Sequence, residues 1–439
     1  MRKIGVELEF PVVQSNGYAV EYSTIRRLFP WLEASGWQIS RDEGTGECVE
    51  ATHSAGRGQG RFGYVRDSIS TDVGFCTIEV SLSPEDDLFA LARHWDAVRR
   101  VLLEFFTGQD CHILGYGVQP LSVPERGLIA RKGRYLFLEQ DSLNRIVDQR
   151  HGADVSVFAI SASNQCHIDV YRDEAISAVN LANGLAPIFS AITANAPVWR
   201  GGVDPDWVDI REFFWDRGWS NRIDQIGIPD RFTGFDDYVE RICAFRPLMV
   251  KRDGQYIQIT GCRTFADYLA RGGDNTGMTV MGEAVPLSCA PEDIQFHGGF
   301  AWWQARLAAP YGTIEFRPCS QQPPDATLAV AALGLGVMES LHDAHALYDR
   351  FTVTDWRRLR FDVLRHGLKA SLRDLPVTAL AQQLLDIARA GLISRGLGEE
   401  AFLDVLQERV SAGVTVADPV AAAFDPDDLT AFLDLVRIR

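Results

Sequence analysis

Ile4-Gly5-Val6-Glu7-Leu8-Glu9-Phe10 sets apolar side chains and carboxylates at alternate positions. In a β-strand, residues i and i+2 face the same way. Ile4, Val6, Leu8 and Phe10 therefore line a core, while Glu7 and Glu9 share the opposite face. Three more stretches repeat the pattern: Thr77-Ile78-Glu79-Val80-Ser81-Leu82, Gln165-Cys166-His167-Ile168-Asp169-Val170 and Thr313-Ile314-Glu315-Phe316-Arg317. Paired in one sheet, they would gather Glu7, Glu9, Glu79, Asp169, Glu315, His167 and Arg317 on one polar face. Carboxylates packed so closely repel unless cations sit among them. The face reads as a bed for hard divalent ions and a phosphate-bearing substrate. Any half-solvated strand alternates in this way, but its wet face would normally mix in Lys. The first three stretches contain none.

The chain has 439 residues, enough for a large core and for two domains or one with a sizeable extension. An apolar fraction of 46% and a charged fraction of 23% are those of a globular protein. The net charge of −16 argues against nucleic-acid or anionic-membrane partners, which need basic surface. No CxxC pair occurs among the 8 cysteines, which excludes the usual structural zinc pattern. Cys76 and Cys166 lie in apolar runs, where a buried reduced thiol is expected. The apolar run Ala326 to Met338 is too short to span a bilayer. With no signal-peptide pattern at the start, a cytoplasmic location is the expectation.

Along the chain, Ile4 to Val13 reads as a strand and Tyr22 to Ser35 as a helix ending at Gly36. Strands at Cys48 to Ala51 and Thr77 to Leu82 flank a loop at Gly56 to Gly63. The next helix has Ser83 as its expected N-cap, Pro84 at its first position and Glu85, Asp86 and Asp87 in its first turn. Its apolar stripe is Leu88, Leu91, Trp95, Val98, Leu102 and Phe105, and Gly108 stops it. Val155 to Val170 suggests a central strand or hairpin, and Asp173 to Ala194 a helix kinked at Pro187. Residues 199–300 read as loop-rich and aromatic. Beyond Pro323-Pro324, helical spacing recurs at Asp325 to Phe351, Thr354 to Leu372, Thr378 to Leu392, Glu399 to Val410 and Pro426 to Val436. The expected division is a catalytic domain at 1–323 and a helical region at 324–439.

Gly58 to Gly63 matches G-x-G-x-x-G, but no convincing helix follows and no acidic strand end stands at the required distance, so a dinucleotide site is not supported. A flexible, Arg-bearing loop over the site suits it better. P-loop, H-E-x-x-H and G-x-S-x-G patterns are missing.

In order along the chain, these residues resemble the glutamate–cysteine ligases and related carboxylate–amine ligases, which have a glutamine-synthetase-like fold. GVELEF is similar to the family's opening acidic strand. Asp72 and Glu79, in STDVGFCTIEVSLSP, resemble its second acidic segment. Gln165 to Asp169 followed by LANGLAPIFSAITANAPVWRG resembles a third block. Asp209-Ile210-Arg211, Trp215, Arg222 and residues 234–238 resemble a fourth, and YGTIEFRP at 311–318 the final strand. The likeness covers roughly residues 4 to 325.

The resemblance implies an α+β fold: a largely antiparallel curved sheet with helices on one face and the active site on the other. It implies that ATP phosphorylates the γ-carboxylate of glutamate and that an amine, cysteine above all, then displaces phosphate. Two or three Mg²⁺ ions would be held by Glu7, Glu9, Glu79, His167 and Glu315, since Mg²⁺ takes oxygen ligands on such a face. Arg317 would contact the transferred group. Asp72 would bind metal or take a proton from the amine. Arg211, Arg222 and Asp169 are candidates for substrate binding or for support of the ligands. A same-fold ligase acting on another amine and a metal-binding scaffold without catalysis are the competing readings. A complete set of acids together with Arg317 argues against the scaffold.

Overall fold

The computed structural model of the protein describes residues 1–54, 66–140, 155–219 and 222–439. The Gly58–Gly63 loop lies outside them. The first strand, β1 (Ile4–Gln14), is central. It pairs antiparallel with β5 (Thr77–Glu85) on one side and β7 (Asn164–Asp169) on the other. Beyond β5 follow β4 (Arg66–Thr71), β3 (Cys48–Ser54) and β2 (Gln38–Arg41). Beyond β7 come strands Thr313–Phe316 and Ala305–Ala308, and β6 (Cys111–Ile113) extends β1 at its end. Every pairing in this sheet is antiparallel.

The period-two reading of β1 decides which face is covered. Ile4, Leu8 and Phe10 are 0% exposed, and burying each stabilises by about 1.5–3 kcal/mol. Helix α2 (Leu88–Thr107) lies on this face, with Trp95 stacked on Phe10 at 5.0 Å. Helix α4 (Ala175–Thr193) brings Phe189 onto Phe316 at 5.2 Å. Helix Ala329–Glu339 joins the layer on the sheet, and helix Val377–Arg395 packs against it and α4. Helices Ala329–Glu339 and Val377–Arg395 cross at Gly336 and Gly391, where a Cβ would come within 2.2 Å and 2.1 Å of facing backbone oxygens. One hydrophobic cluster runs from Ile4 to Ile438, so the helices after Pro323-Pro324 share the core of the sheet. Helix α4 is also the described helix long and apolar enough to cross a membrane, and 83% of that stretch is buried inside the protein.

Several expectations need correction. Strand β5 continues through Ser83 and Pro84 because Ile4 pairs with Glu85. The helix therefore starts at Leu88, capped by Asp87, whose side chain accepts the Ala90 N–H at 2.7 Å. Val155–Ile160 is a 3₁₀ turn, and only Asn164–Asp169 forms a strand. The supposedly loop-rich stretch holds a separate four-stranded antiparallel sheet at 249–287, with its own core of Val250, Ile259, Phe265, Tyr268 and Leu287. Helix α5 (Ile210–Gly218) precedes it. The segment Asp325 to Phe351 divides into two helices, Ala329–Glu339 and Leu341–Tyr348. A short helix, Ala417–Ala423, was not foreseen.

Candidate active site

The uncovered face of the sheet carries the acids. Glu9 stands directly opposite Glu79 across β1 and β5, and Ser70 of β4 follows in the same row. Across the other half, Arg306, Glu315 and His167 are successive cross-strand neighbours. Directly opposed side chains in an antiparallel pair have Cβ atoms roughly 5 Å apart. Two triads result, Glu7 with His167 and Glu315, and Glu9 with Asp72 and Glu79. In each, one ligand atom per residue lies within 4.8 Å of the others.

The triads differ in electrostatics. Glu315 is clasped by Arg306, whose Nε and second nitrogen donate to its two oxygens at 2.6 and 3.0 Å, and it also pairs with Arg317. Burial alone would raise its pKa, but Arg306 and Arg317 outweigh burial and hold it far below the ordinary carboxylate range. Burial likewise pushes Glu7 up, and the His167 imidazolium more than reverses this across a 3.1 Å contact. His167 itself is raised, because Glu7 outweighs the desolvation that would lower it.

Relief is weaker at the other triad, where Arg211 and Lys132 do not outweigh burial and the neighbouring acids. Burial and then the Asp72 charge push Glu9 up to about 7, although it accepts N–H bonds from Ser163 at 2.5 Å and Gln165 at 3.1 Å. Glu79 is driven well above the ordinary range by burial, then by Asp72 and Glu7. Buried carboxylates this close together repel unless a divalent cation sits among them. The donors are hard oxygens, which suits Mg²⁺. In Glu7–His167–Glu315 the charge is already balanced by arginines, and the donor set includes a nitrogen.

Gln165 joins the triads. Its amide nitrogen donates to Glu9, and its oxygen accepts from Arg317 at 3.0 Å. The Arg317 guanidinium lies 5.7 Å from the centre of the Trp215 ring. Arg211 is buried, donating to Glu212 at 3.1 Å and to the Arg317 carbonyl at 3.4 Å. Arg222 donates to Gln225 and to the Arg246 carbonyl, each at 2.7 Å, which braces a turn. Asp169 faces the same side as His167, but its carboxylate accepts the Lys3 backbone N–H at 3.1 Å and is in neither triad.

Sequence reasoning missed Arg306, Lys132, Arg134 and Tyr135. Tyr135, on helix α3 (Gly133–Gln140), donates to Asp72 at 3.1 Å. Lys132 bonds the Thr71 carbonyl, and burial followed by the Arg134 charge lowers its pKa to about 8 against the pull of Glu79 and Asp72. The visible signal was the cluster Arg131-Lys132-Gly133-Arg134-Tyr135, the one concentration of cations in a segment that otherwise matched nothing.

Comparison with known proteins agrees with this architecture. The Arabidopsis thaliana chloroplastic glutamate–cysteine ligase is 25% identical over 326 residues, 71% of this chain and 57% of that protein. The Brassica juncea enzyme is 26% identical over 320 residues, 70% of this chain and 57% of that one. The chain thus spans less than three-fifths of the length of these relatives. A Francisella tularensis glutamate–cysteine ligase, solved in complex with AMP, shares the fold with a TM-score of 0.54 at 12% identity, over 96% of this chain and 84% of that one. The family model of glutamate–cysteine ligase family 2 (GCS2) matches residues 3–428, and the chain belongs to that family.

Proposed function

We propose that the protein is an ATP-dependent carboxylate–amine ligase that joins the γ-carboxylate of glutamate to the amine of cysteine. The observation that carries this reading is the pair of triads on one sheet face with Arg317 and Gln165 between them. In the first step a γ-carboxylate oxygen bonds to the γ-phosphorus of ATP and ADP leaves. In the second the amine nitrogen bonds to the acyl carbon, phosphate leaves with the C–O electron pair, and the nitrogen gives up a proton. Mg²⁺, when bound, neutralises phosphate charge as the phosphoryl group moves.

Glu9, Asp72 and Glu79 would hold one ion, since their mutual repulsion calls for a cation. Asp72 is assigned as a ligand in preference to a base for the same reason. Glu7, His167 and Glu315 would hold another once Arg306 or Arg317 turns toward phosphate. Arg317 is the group for the transferring phosphoryl, where a planar two-donor contact fits. Lys132 and Arg134 add positive charge beside the acids. Arg222, which braces a turn, and Asp169, which accepts the Lys3 N–H, are assigned to support. Cytoplasmic location fits the 8 free cysteines, none of which is in a disulfide.

Glutamate-dependent ADP release, measured across a panel of amines that includes cysteine, tests the reading. Release with cysteine is expected, and release with another amine alone would replace cysteine by that amine. Glu315→Gln and Arg317→Ala are expected to fold and to lose at least about a hundredfold in kcat, the usual loss when an electrostatic contact to the transition state is deleted. Normal turnover in both would sink the mechanism.

A further inference from the structure

Helix α5 presents two different pairs of side chains at i, i+4 spacing, which places each pair on one face. Arg211 and Trp215 turn toward Arg317, one bonding its carbonyl and the other lying under its guanidinium. Glu212 and Asp216 turn toward Arg360, on the helix Val353–His366 of the C-terminal region. Arg360 spans both Asp216 oxygens at 3.0 and 2.8 Å and reaches Glu212 at 3.3 Å. Glu212 also receives Arg211 at 3.1 Å and the Gln304 amide at 2.6 Å. The Gln304 carbonyl accepts the Arg317 N–H at 2.9 Å. Arg211, Glu212, Gln304 and Arg360 are all at most 3% exposed. These contacts run from a C-terminal helix to the backbone of Arg317, and through α5 and Trp215 to its guanidinium.

We propose that Arg360 is a positioning residue: by clamping Glu212 and Asp216 it fixes α5, and α5 with Gln304 sets Arg317 against the acidic face. This rests on the reading of that face as a phosphoryl-transfer site. Buried paired charges contribute little net stability, because desolvation offsets their attraction. A network of this size behind a reacting group is better explained by the alignment it imposes, since a misplacement of about 1 Å can cost a hundredfold in rate.

The test compares R360K, D216N and R395K. R360K keeps the charge but cannot span both carboxylate oxygens. D216N acts at the more exposed end of the clamp, where Asp216 is 22% exposed, and spares the fold if R360K does not. Arg395 is an arginine of the same helical region whose side chain is 2% exposed and pairs with Glu339 and Glu399 instead of α5. R360K and D216N are expected to lower kcat for glutamate-dependent ADP release by about tenfold or more, with the KM for glutamate changed by less than about twofold. Amide hydrogen exchange over 210–218 is expected to quicken in both. R395K should lower Tm while leaving kcat and that exchange unchanged. R360K and D216N with wild-type kcat, or with unchanged exchange in α5, would overturn the proposal. If the wild-type protein releases no ADP with any amine, the ligase reading falls, and exchange in α5 still decides whether Arg360 holds that helix.

Discussion

Glu9 and Glu315 point from the same face of one sheet, yet their surroundings treat their charge in opposite ways. Two arginines stabilise the Glu315 carboxylate, whereas burial and Asp72 push Glu9 up to about 7. Charges held against their own preference lower stability and cluster at functional sites. Replacing Glu79 by Gln is accordingly expected to leave the metal-free protein at least as stable as wild type. The rise in Tm produced by Mg²⁺ should shrink to less than about half, because a ligand stabilises in proportion to its affinity for the folded state. Thermal melts with and without Mg²⁺ measure both quantities. An E79Q protein that is less stable without metal, yet shows the full Mg²⁺ shift, would assign Glu79 a structural role. Alternation alone made Glu7, Glu9, Glu79, His167 and Glu315 legible in the sequence, because side-chain parity along a strand is local. Arg306 was not legible: it meets Glu315 only through the pairing of two strands, and parity does not say which strands are neighbours. Tyr135 reaches Asp72 from 63 residues away, by the same kind of tertiary contact.

At the scale of elements, tertiary pairing overrode a local signal at Ser83-Pro84. The sequence Ser-Pro-Glu-Asp-Asp carries strong features of a helix start, but pairing with β1 extends β5 to Glu85 and moves the cap to Asp87. Ser83 instead donates its backbone N–H to Asp67 at 2.8 Å and leaves its own hydroxyl buried without a partner. Asp87→Ala should therefore cost about 1 kcal/mol, the usual loss for an N-cap. Ser83→Ala should be neutral or slightly stabilising, since it removes an unsatisfied buried hydroxyl. Urea denaturation of the two variants checks the order, and the reverse order would return the cap to Ser83. The small sheet at 249–287 escaped sequence reading for a different reason. Its strands are 4 to 6 residues long and largely half-exposed, so they lack the apolar alternation that announced β1.

At the scale of the molecule, the described residues form two hydrophobic cores of unequal size. The large one unites the main sheet with the C-terminal helices, and the small one lies under the 249–287 sheet. His297 sits beside the small core, 0% exposed and stacked on Phe265 at 3.9 Å. One ring nitrogen, Nε2, donates to the Ile242 carbonyl at 3.0 Å, and Nδ1 has no partner. Burial lowers its pKa to about 3, with the nearby Arg222 charge adding to the effect against the pull of Ile242. The folded protein thus keeps this ring neutral, while the unfolded chain protonates it near the ordinary value of about 6.5. Below that pH the unfolded state binds a proton that the folded state refuses. Stability from this group is therefore complete above about pH 6.5 and is lost as pH falls toward about 3, at up to about 1.4 kcal/mol per pH unit. His297→Gln keeps a donor for Ile242 and removes the titration. Between pH 6 and pH 5, wild-type stability should fall by about 1 kcal/mol more than that of H297Q, because shifts at other groups are common to both and cancel. Urea melts at the two pH values give the difference. Amide exchange at pH 5 should quicken in residues 249–287 before it does in β1 or β5, because the proton enters where the smaller core has less apolar area to lose. Equal acid sensitivity in the two proteins would mean that His297 is not sealed from water as this packing requires.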